Sequence, residues 1–490
     1  MQQQVYHSLV YHSQSIQAWE KRWFQQQNSS YGLMQQMAWA ISQQLGTLFF
    51  REKIKKIAVC CGQGNNAGDG YLVAKYLKQA GFQVEIYAAE PGSSKDLATA
   101  VQEAKQAGLQ PYSQFDFQTE YEAYVDALFG IGLNRQLDSN WQDIIHGINR
   151  QNGLKISIDI PSGLGANTGQ PLPVAIKADY TFTGLGLKAG LFTGQGKEYA
   201  GKIELISAIP ADTELQPIAQ LASHQIQLPK RQAFGHKGSY GHVLVIGGHA
   251  NMGGAVIMAA EAAFAAGAGK VTIACDTKHH TAILSRAPNI MLRDINALTV
   301  EQRIALIQQV DAVCFGMGLG RDEWAKEQYQ AWFDLIQNSD LEIVLDADAL
   351  WFLARQPQIL NSKTYATPHS GEAATLLQKG TQEIESDRVA AIHALQQKYQ
   401  GQWLLKGSGS LILEEKLYIC TAGNAGMGTG GMGDVLAGMI ASLKAQFKQK
   451  IHLHEIVTLH ALAGDELAKN GERGLQAQDM KHAIYQVVNR

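Results

Sequence analysis

Between Lys55 and Gly81 the chain changes character three times. KIAVCC is a short apolar run, GQGNNAGDG is glycine-rich and polar, and GYLVAKYLKQAG repeats its apolar side chains with a helical period. Strand, glycine-rich turn and helix open an α/β nucleotide-binding unit. This succession constrains the fold most because the chain keeps returning to it. Strand-like runs recur at VEIYAA from Val84, YVDALFG from Tyr124, LKISIDI from Leu154, ADYTFTG from Ala178 and GKIELIS from Gly201, with helical stretches between the earlier ones. That order predicts a mostly parallel, doubly wound sheet with helices on both faces. Ahead of it, residues 15–48 read as helices broken near Gln27–Tyr31. Trp19, Trp23 and Phe24 share one face, as do Leu33, Met37 and Ile41; both faces read as packing surface with no function attached.

Residues 208–234 lose this periodicity and carry Pro210, Pro217 and Pro229, the marks of a linker with a domain boundary near 215–228. An α/β pattern then restarts. GHVLVIGG is a strand, GGAVIMAAEAAFAAGAG a close-packing helix, and KVTIACD, DAVCFGMGLG, LEIVLDADAL and TYATPH are further strands. WLLKGSGSLILEEKLYICTAGN reads as a strand plus a hairpin, and helices begin at Asp434, His452 and Ala477. A chain of 490 residues exceeds one ordinary core. The division expected is residues 1–220 and 228–490, each an α/β domain.

A net charge of −3 leaves no electrostatic footprint for nucleic acid or an anionic membrane. No apolar run is long enough to span a bilayer, and MQQQVYHSLVYHSQ lacks the regions of a signal peptide. Cys60, Cys61, Cys275, Cys314 and Cys420 form no CxxC, and all but Cys61 fall in strand-like runs. Buried free thiols in a reducing cytoplasm are expected.

Gly426–Gly438, GMGTGGMGDVLAG, places five glycines before Asp434 and an apolar helical run after it. Glycines let backbone N–H groups crowd together, and a helix N-terminus adds partial positive charge. The pair forms an anion hole sized for phosphate, with Asp434 placed to take a proton from a hydroxyl being phosphorylated. The alternative is a glycine-rich turn with an ordinary first-turn acid. KGSGS, Lys406–Ser410, offers a lysine and hydroxyls for a second phosphate contact, or else a tight turn into the hairpin. In the first half, Asn65 and Asn66 follow one strand, Asp126 sits late in another, and Asp159 ends a third just before Pro161-Ser162-Gly163. Carboxyl ends of parallel strands share a crevice, so these oxygens converge where a hard cation would bind, and Asp159 is a candidate proton shuttle. Taken singly, each aspartate could instead cap a loop or helix. His279-His280 reads as a solvated loop, because adjacent residues point apart.

CGQGNNAGDG, DALFGIG and DIPSG resemble the epimerase half of the bifunctional NAD(P)H-hydrate repair family. HKGSYGHVLVIGG, GMGLG, TPHSGEA, KGSGS, GTGGMGDVLAG and HALAGDELA resemble its ADP-dependent dehydratase half. The resemblance covers nearly the whole chain. It implies a Rossmann-like N-terminal epimerase domain and a C-terminal ribokinase-like α/β domain that dehydrates the S hydrate. It further implies potassium ligands at Asn66, Asp126 and Ser162. Hydrate contacts are implied at Asn65, Asn66, Ala67, Gly68 and Asp69, at Gly130, Ile131, Gly132, Leu133, Asn134, Arg135 and Gln136, and at Asp159. In the second domain it implies hydrate contacts at Ala255, Gly318, His369 and Asp434, and ADP contacts at Lys406, Gly407, Ser408, Gly409, Ser410 and Gly433. Asp159 and Asp434 would be the catalytic pair. Magnesium accompanies ADP, with Glu372 a candidate ligand. The partners implied are hydrated NADH or NADPH, ADP and further copies of the chain in a homo-oligomer. The chain departs from the family pattern at Ala67 and Trp39, where glycine is usual, at Asn289, where glutamate is usual, and at Ala425, where proline is usual; Ala67 would resist a positive φ. The competing expectations are a ribokinase-type small-molecule kinase and, for the first half, a non-catalytic binding module.

Overall fold

Apolar runs alternating with helices build one predominantly parallel sheet in each half of the chain. A computed structural model describes residues 8–115 and 118–490. It divides into two units, Met1–Gln220 and Leu221–Arg490.

The first unit contains the strands β1 (Leu9–Tyr11), β2 (Lys56–Cys61), β3 (Gln83–Ala88), β4 (Ala123–Ala127), β5 (Leu154–Ile158), β6 (Tyr180–Gly184), β7 (Leu187–Lys188) and β8 (Lys202–Ile206), and β9 (Ala219–Leu221) runs across its last residue. Six of them form a sheet in the order β3-β2-β4-β5-β6-β8, with every pairing parallel. β4 is buried along its whole length, as a strand covered on both faces must be. Val59, Val125 and Ile156 sit in the core between the sheet and the helices Ser30–Glu52 and Asn65–Gln79. β1 pairs in parallel with β7, Tyr11 facing Lys188, and antiparallel with β9. β9 therefore lies inside the stretch that reads as linker.

The helix after β2 begins at Asn65. Most of the expected glycine-rich turn is thus the first helical turn. Ala67 lies inside that helix and is fully buried, so the expected conflict with a positive φ does not arise. Cys61 also belongs to a strand, and all five cysteines are buried and in no disulfide. The break between the first two helices falls at 26–29 as expected, with Ser29 accepting a hydrogen bond from the Gly32 N–H.

The second unit adds β10 (His242–Ile246), β11 (Lys270–Cys275), β12 (Met291–Asp294), β13 (Ala312–Phe315), β14 (Glu342–Leu345), β15 (Leu360–Ala366), β16 (Gln400–Leu405), β17 (Ser410–Leu413) and β18 (Leu417–Cys420). Their order is β12-β11-β10-β13-β14-β15-β16-β17-β18. Pairing is parallel as far as β16 and antiparallel through the β16-β17-β18 meander. The alanine-rich helix Gly253–Ala265 packs against the helix Met432–Phe447. A Cβ at Gly438 would collide with the Ala259 carbonyl, so this glycine serves close helix packing rather than anion binding. His279 and His280 are half-buried, ending a short 3₁₀ turn and starting a helix. His279 Nε2 lies 2.9 Å from the His249 carbonyl oxygen, which replaces the expected solvated loop.

Candidate active sites

The carboxyl ends of the first unit's strands open into a cavity of about 510 Å³. Asn65, Asn66, Asp69, Asp159 and the loop from Gly130 to Arg135 line it. Ala67 and Gly68 are buried behind this lining, and Gln136 is exposed outside it.

Asp159 follows β5 directly and has φ 69. A positive φ on a side-chain-bearing residue is strained and persists only where its surroundings over-determine it. Here they do. One carboxylate oxygen accepts from Lys188 Nζ at 2.7 Å and the other from the Ile131 N–H at 2.9 Å. Lys188 has no exposed side-chain surface, and its remaining protons go to Thr183 Oγ1 at 2.8 Å and the Gly184 carbonyl at 2.9 Å. All three ammonium protons are thus spent, which allows the charge to be buried.

Asp126 lies beneath the cavity floor. Its oxygens accept from Ser157 Oγ at 2.7 Å, Ser162 N–H at 2.8 Å, Ser162 Oγ at 2.5 Å and Leu128 N–H at 3.2 Å. Burial raises its pKa while these hydrogen bonds oppose the rise. The Ser162 hydroxyl is also 3.2 Å from the Phe129 carbonyl, and Asn66 Nδ2 donates to the Ile158 carbonyl at 3.3 Å. The Asn66 amide oxygen, Ser162 Oγ and the Phe129 carbonyl are neutral oxygens with a carboxylate behind them, a donor set that fits an alkali cation.

The N-terminal helix reads in the sequence as packing surface, yet Glu20 lines the same cavity. Burial, and then the Asp159 charge, push its pKa up to about 7. Asp69 is driven well upward by burial and by the charges of Asp159 and Glu20. The missed signal is Glu20's position four residues after Ile16 and three before Trp23, an acid within an apolar helical stripe.

In the second unit, Gly431 takes φ 92 and caps a helix whose third residue is Asp434. The free N–H groups of that first turn face the anion expected there. Gly433 passes close to Lys406 and Asp346; a Cβ on it would lie 3.2 Å from Lys406 Nζ and 3.3 Å from Asp346 Oδ2. Lys406 Nζ donates to Asp346 Oδ1 at 2.7 Å and is 3.8 Å from Glu372. Burial and the charge of Asp346, offset by Lys406 and reinforced by Glu372 and Asp348, raise the Asp434 pKa to about 7. Burial, countered by Lys406 and aided by Asp346, raises Glu372 as well. Between Asp346 and Asp348, Ala347 is held at φ 52 and ψ −121, a strained turn that leaves an acid on either side. Asp348 accepts from the Gly320 N–H at 2.9 Å and Arg321 Nε at 2.7 Å. Three acids, Asp346, Glu372 and Asp434, therefore act on one lysine, with Asp348 beside them paired to Arg321, and a divalent cation with oxygen ligands fits that excess of negative charge.

His369 caps the helix Ser370–Leu377. Its Nδ1 accepts from the N–H groups of Gly371 and Glu372, and its backbone N–H donates to Glu372 Oε2 at 2.8 Å. It lines a pocket of about 260 Å³ with Arg321, Trp351 and Glu372. Gly318 and Ala255 are neighbours, since a Cβ on the glycine would fall 3.3 Å from that of the alanine. In KGSGS, the Ser410 hydroxyl closes the turn onto Gly407, while Ser408 is exposed and Gly409 buried. Buried Arg388 donates to the Leu405 and Lys406 carbonyls, each at 3.1 Å, and so fixes the lysine's backbone. His460, from HALAGD, lies buried beneath the glycine-rich helix start; burial and Lys406 lower its pKa to about 4, keeping it neutral. Elsewhere Glu414 clusters with His452 and His454, where it accepts from the Leu453 N–H at 2.6 Å and so caps the helix Leu453–Ala468.

Residues 30–190 match the family described as YjeF-related protein N-terminus, and residues 243–486 match NAD(P)H-hydrate dehydratase. The bifunctional NAD(P)H-hydrate repair enzyme Nnr of Coxiella burnetii is 38% identical over 451 residues, covering 89% of this chain and 90% of its own. The Escherichia coli K12 protein of the same name is 35% identical over 450 residues, covering 88% and 84%. A solved ribokinase-like superfamily protein from Enterococcus faecalis aligns at 29% identity with a TM-score of 0.48, over 53% of this chain and 92% of that one.

Proposed function

Because the chain belongs to the bifunctional NAD(P)H-hydrate repair enzymes, we propose that its two aspartate centres divide one repair between them. The first unit interconverts the R and S hydrates around Asp159, and the second dehydrates the S form around Asp434. The observation that carries this reading is Asp434 at the third position of a helix capped by Gly431, beside the Lys406–Asp346 pair.

Water added across the reduced nicotinamide ring leaves a hydroxyl, a poor leaving group. Asp434 takes the hydroxyl proton as a phosphoryl group arrives from ADP, and the N–H groups of the helix start hold the charge on the transferred oxygens. Lys406 balances the acids around it and stays positive for the incoming phosphates. Phosphate then leaves with the C–O electron pair, the ring nitrogen supplies electrons, and loss of a proton from the neighbouring carbon restores the double bond. AMP and phosphate are the by-products. Magnesium arriving with ADP would offset phosphate charge, with Glu372 a candidate to hold it. Potassium would be held by Asn66, Asp126 and Ser162 and would anchor the loops around the hydrate.

The substrates are small molecules, and no helix among the described residues is long and apolar enough to cross a membrane. Five buried cysteines, none of them in a disulfide, support a reducing cytoplasm as the setting.

An equal mixture of both epimers incubated with ADP tests this division. Full recovery of nicotinamide absorbance, with AMP and phosphate released in step, is the expected result. Recovery that stalls once the S form is consumed removes the epimerase assignment. A stable phosphorylated product with a preference for ATP replaces the dehydratase with a kinase.

A further inference from the structure

Epimer interconversion needs two proton-transfer groups, and Asp159 is only one. The carbon to be inverted carries both the hydroxyl and a bond to the ring nitrogen. Asp159 accepts the hydroxyl proton, C=O forms, and the C–N bond breaks with its electron pair going to nitrogen, which must take a proton from a second group. Rotation about the adjacent C–C bond turns the carbonyl over. The nitrogen then attacks the other face, returns its proton to the donor, and the oxygen recovers its own from Asp159. Nothing is gained or lost, so the pair must begin as one carboxylate and one carboxylic acid.

We propose that Glu20, on the helix Ser13–Gln25, is the proton donor that works opposite Asp159, which makes the N-terminal helix part of the catalytic apparatus. This rests on the epimerase reading above. Both carboxyls line one cavity. Asp159 has its two oxygens bonded to Lys188 Nζ and the Ile131 N–H. No cation is bonded to Glu20 among the described residues, and its burial in sight of a second negative charge favours the protonated form near neutrality. The helix that carries it is anchored by Ile16 and Trp19, which pack with Tyr11, Leu33 and Leu185. The groups facing Glu20 are Asp69 from the helix Asn65–Gln79, Asp159 after β5 and Lys188 on β7, with Arg135 on the cavity's loop. Asp69 is the rival donor.

The test uses the full chain and purified R hydrate, with conversion to S followed chromatographically. Glu20→Gln should lower kcat on the order of 10²–10⁴-fold with KM nearly unchanged, and Glu20→Asp should recover part of the loss. In the parent, the rate should fall as pH rises through about 7, because the donor must be protonated; Glu20→Gln should lose that limb. Dehydration of pure S hydrate by the same variant should match the parent, and an unchanged Tm for the first unit shows that the unit carrying Glu20 is folded. The proposal is overturned if Glu20→Gln keeps parental kcat, if the high-pH limb survives in it, or if Asp69→Asn alone abolishes conversion. If the parent itself converts R no faster than buffer does, the epimerase reading fails and this donor with it; parental conversion with an indifferent Glu20→Gln sinks the donor alone.

Discussion

Asp159 and Asp434 are the same kind of side chain held in opposite electrostatic settings. Asp159 has a fully buried lysine and a backbone N–H on its two oxygens. Asp434 faces Asp346, Glu372 and Asp348, with Lys406 already bonded to Asp346. The first setting puts a cation and a backbone donor on the carboxylate before any ligand arrives. The second surrounds the carboxyl with acids, and burial among them pushes its pKa up to about 7. The difference matches the chemistry. A proton shuttle must reset after every inversion and cannot depend on cargo, whereas a base that acts during phosphoryl transfer is best activated by the cargo itself.

The harshest trial of this contrast is Asp434→Asn. Dehydration of S hydrate should fall on the order of 10²–10⁴-fold while ADP affinity and epimer conversion persist; a loss of both activities would mean that the two centres are not independent. Next in size is Lys188→Met. It strands Asp159 beside an apolar chain and should destabilise the first unit by about 2–3 kcal/mol, less than the roughly 3–5 kcal/mol for a fully buried pair because Asp159 is 21% exposed. Thermal unfolding reads this, and an unchanged Tm for that unit would deny the lysine its role. The smallest effect is Asp346→Asn. With Asp434 acting as the proposed base, kcat/KM for dehydration should rise with pH through about 7 in the parent. Removing one neighbouring negative charge should lower that midpoint by about one pH unit, and an unmoved midpoint would leave the acid cluster without influence on the base.

The strands were legible because parallel strands covered on both faces are continuous apolar runs. β12, half-exposed and with two charged residues in MLRD, gave no such run and went unseen. GQGNNAGDG looked like a turn because glycines and asparagines disfavour helix interiors. Its helix is held by burial against the sheet, which local propensity does not report. Asp159 and Asp434 were visible because each stands beside a glycine or proline turn at an element's end. Lys188 was not, since LGLKAG offers nothing to distinguish a buried lysine from a surface one; only the return of β7 beside β1 brings it to Asp159. Asp346 and Asp348 lay in a segment read as a strand, and the strained turn that sends both acids to the site has no sequence signature of its own.

β1 is three residues long, yet it lies directly against the strand that carries Lys188, with Tyr11 opposite the lysine. Trimming the leading segment to ease expression, or fusing a bulky tag across residues 9–11, would unclamp the cation that sets the shuttle. A preparation shortened in this way would report a sluggish isomerase beside a healthy lyase, and the fault would lie in the cloning.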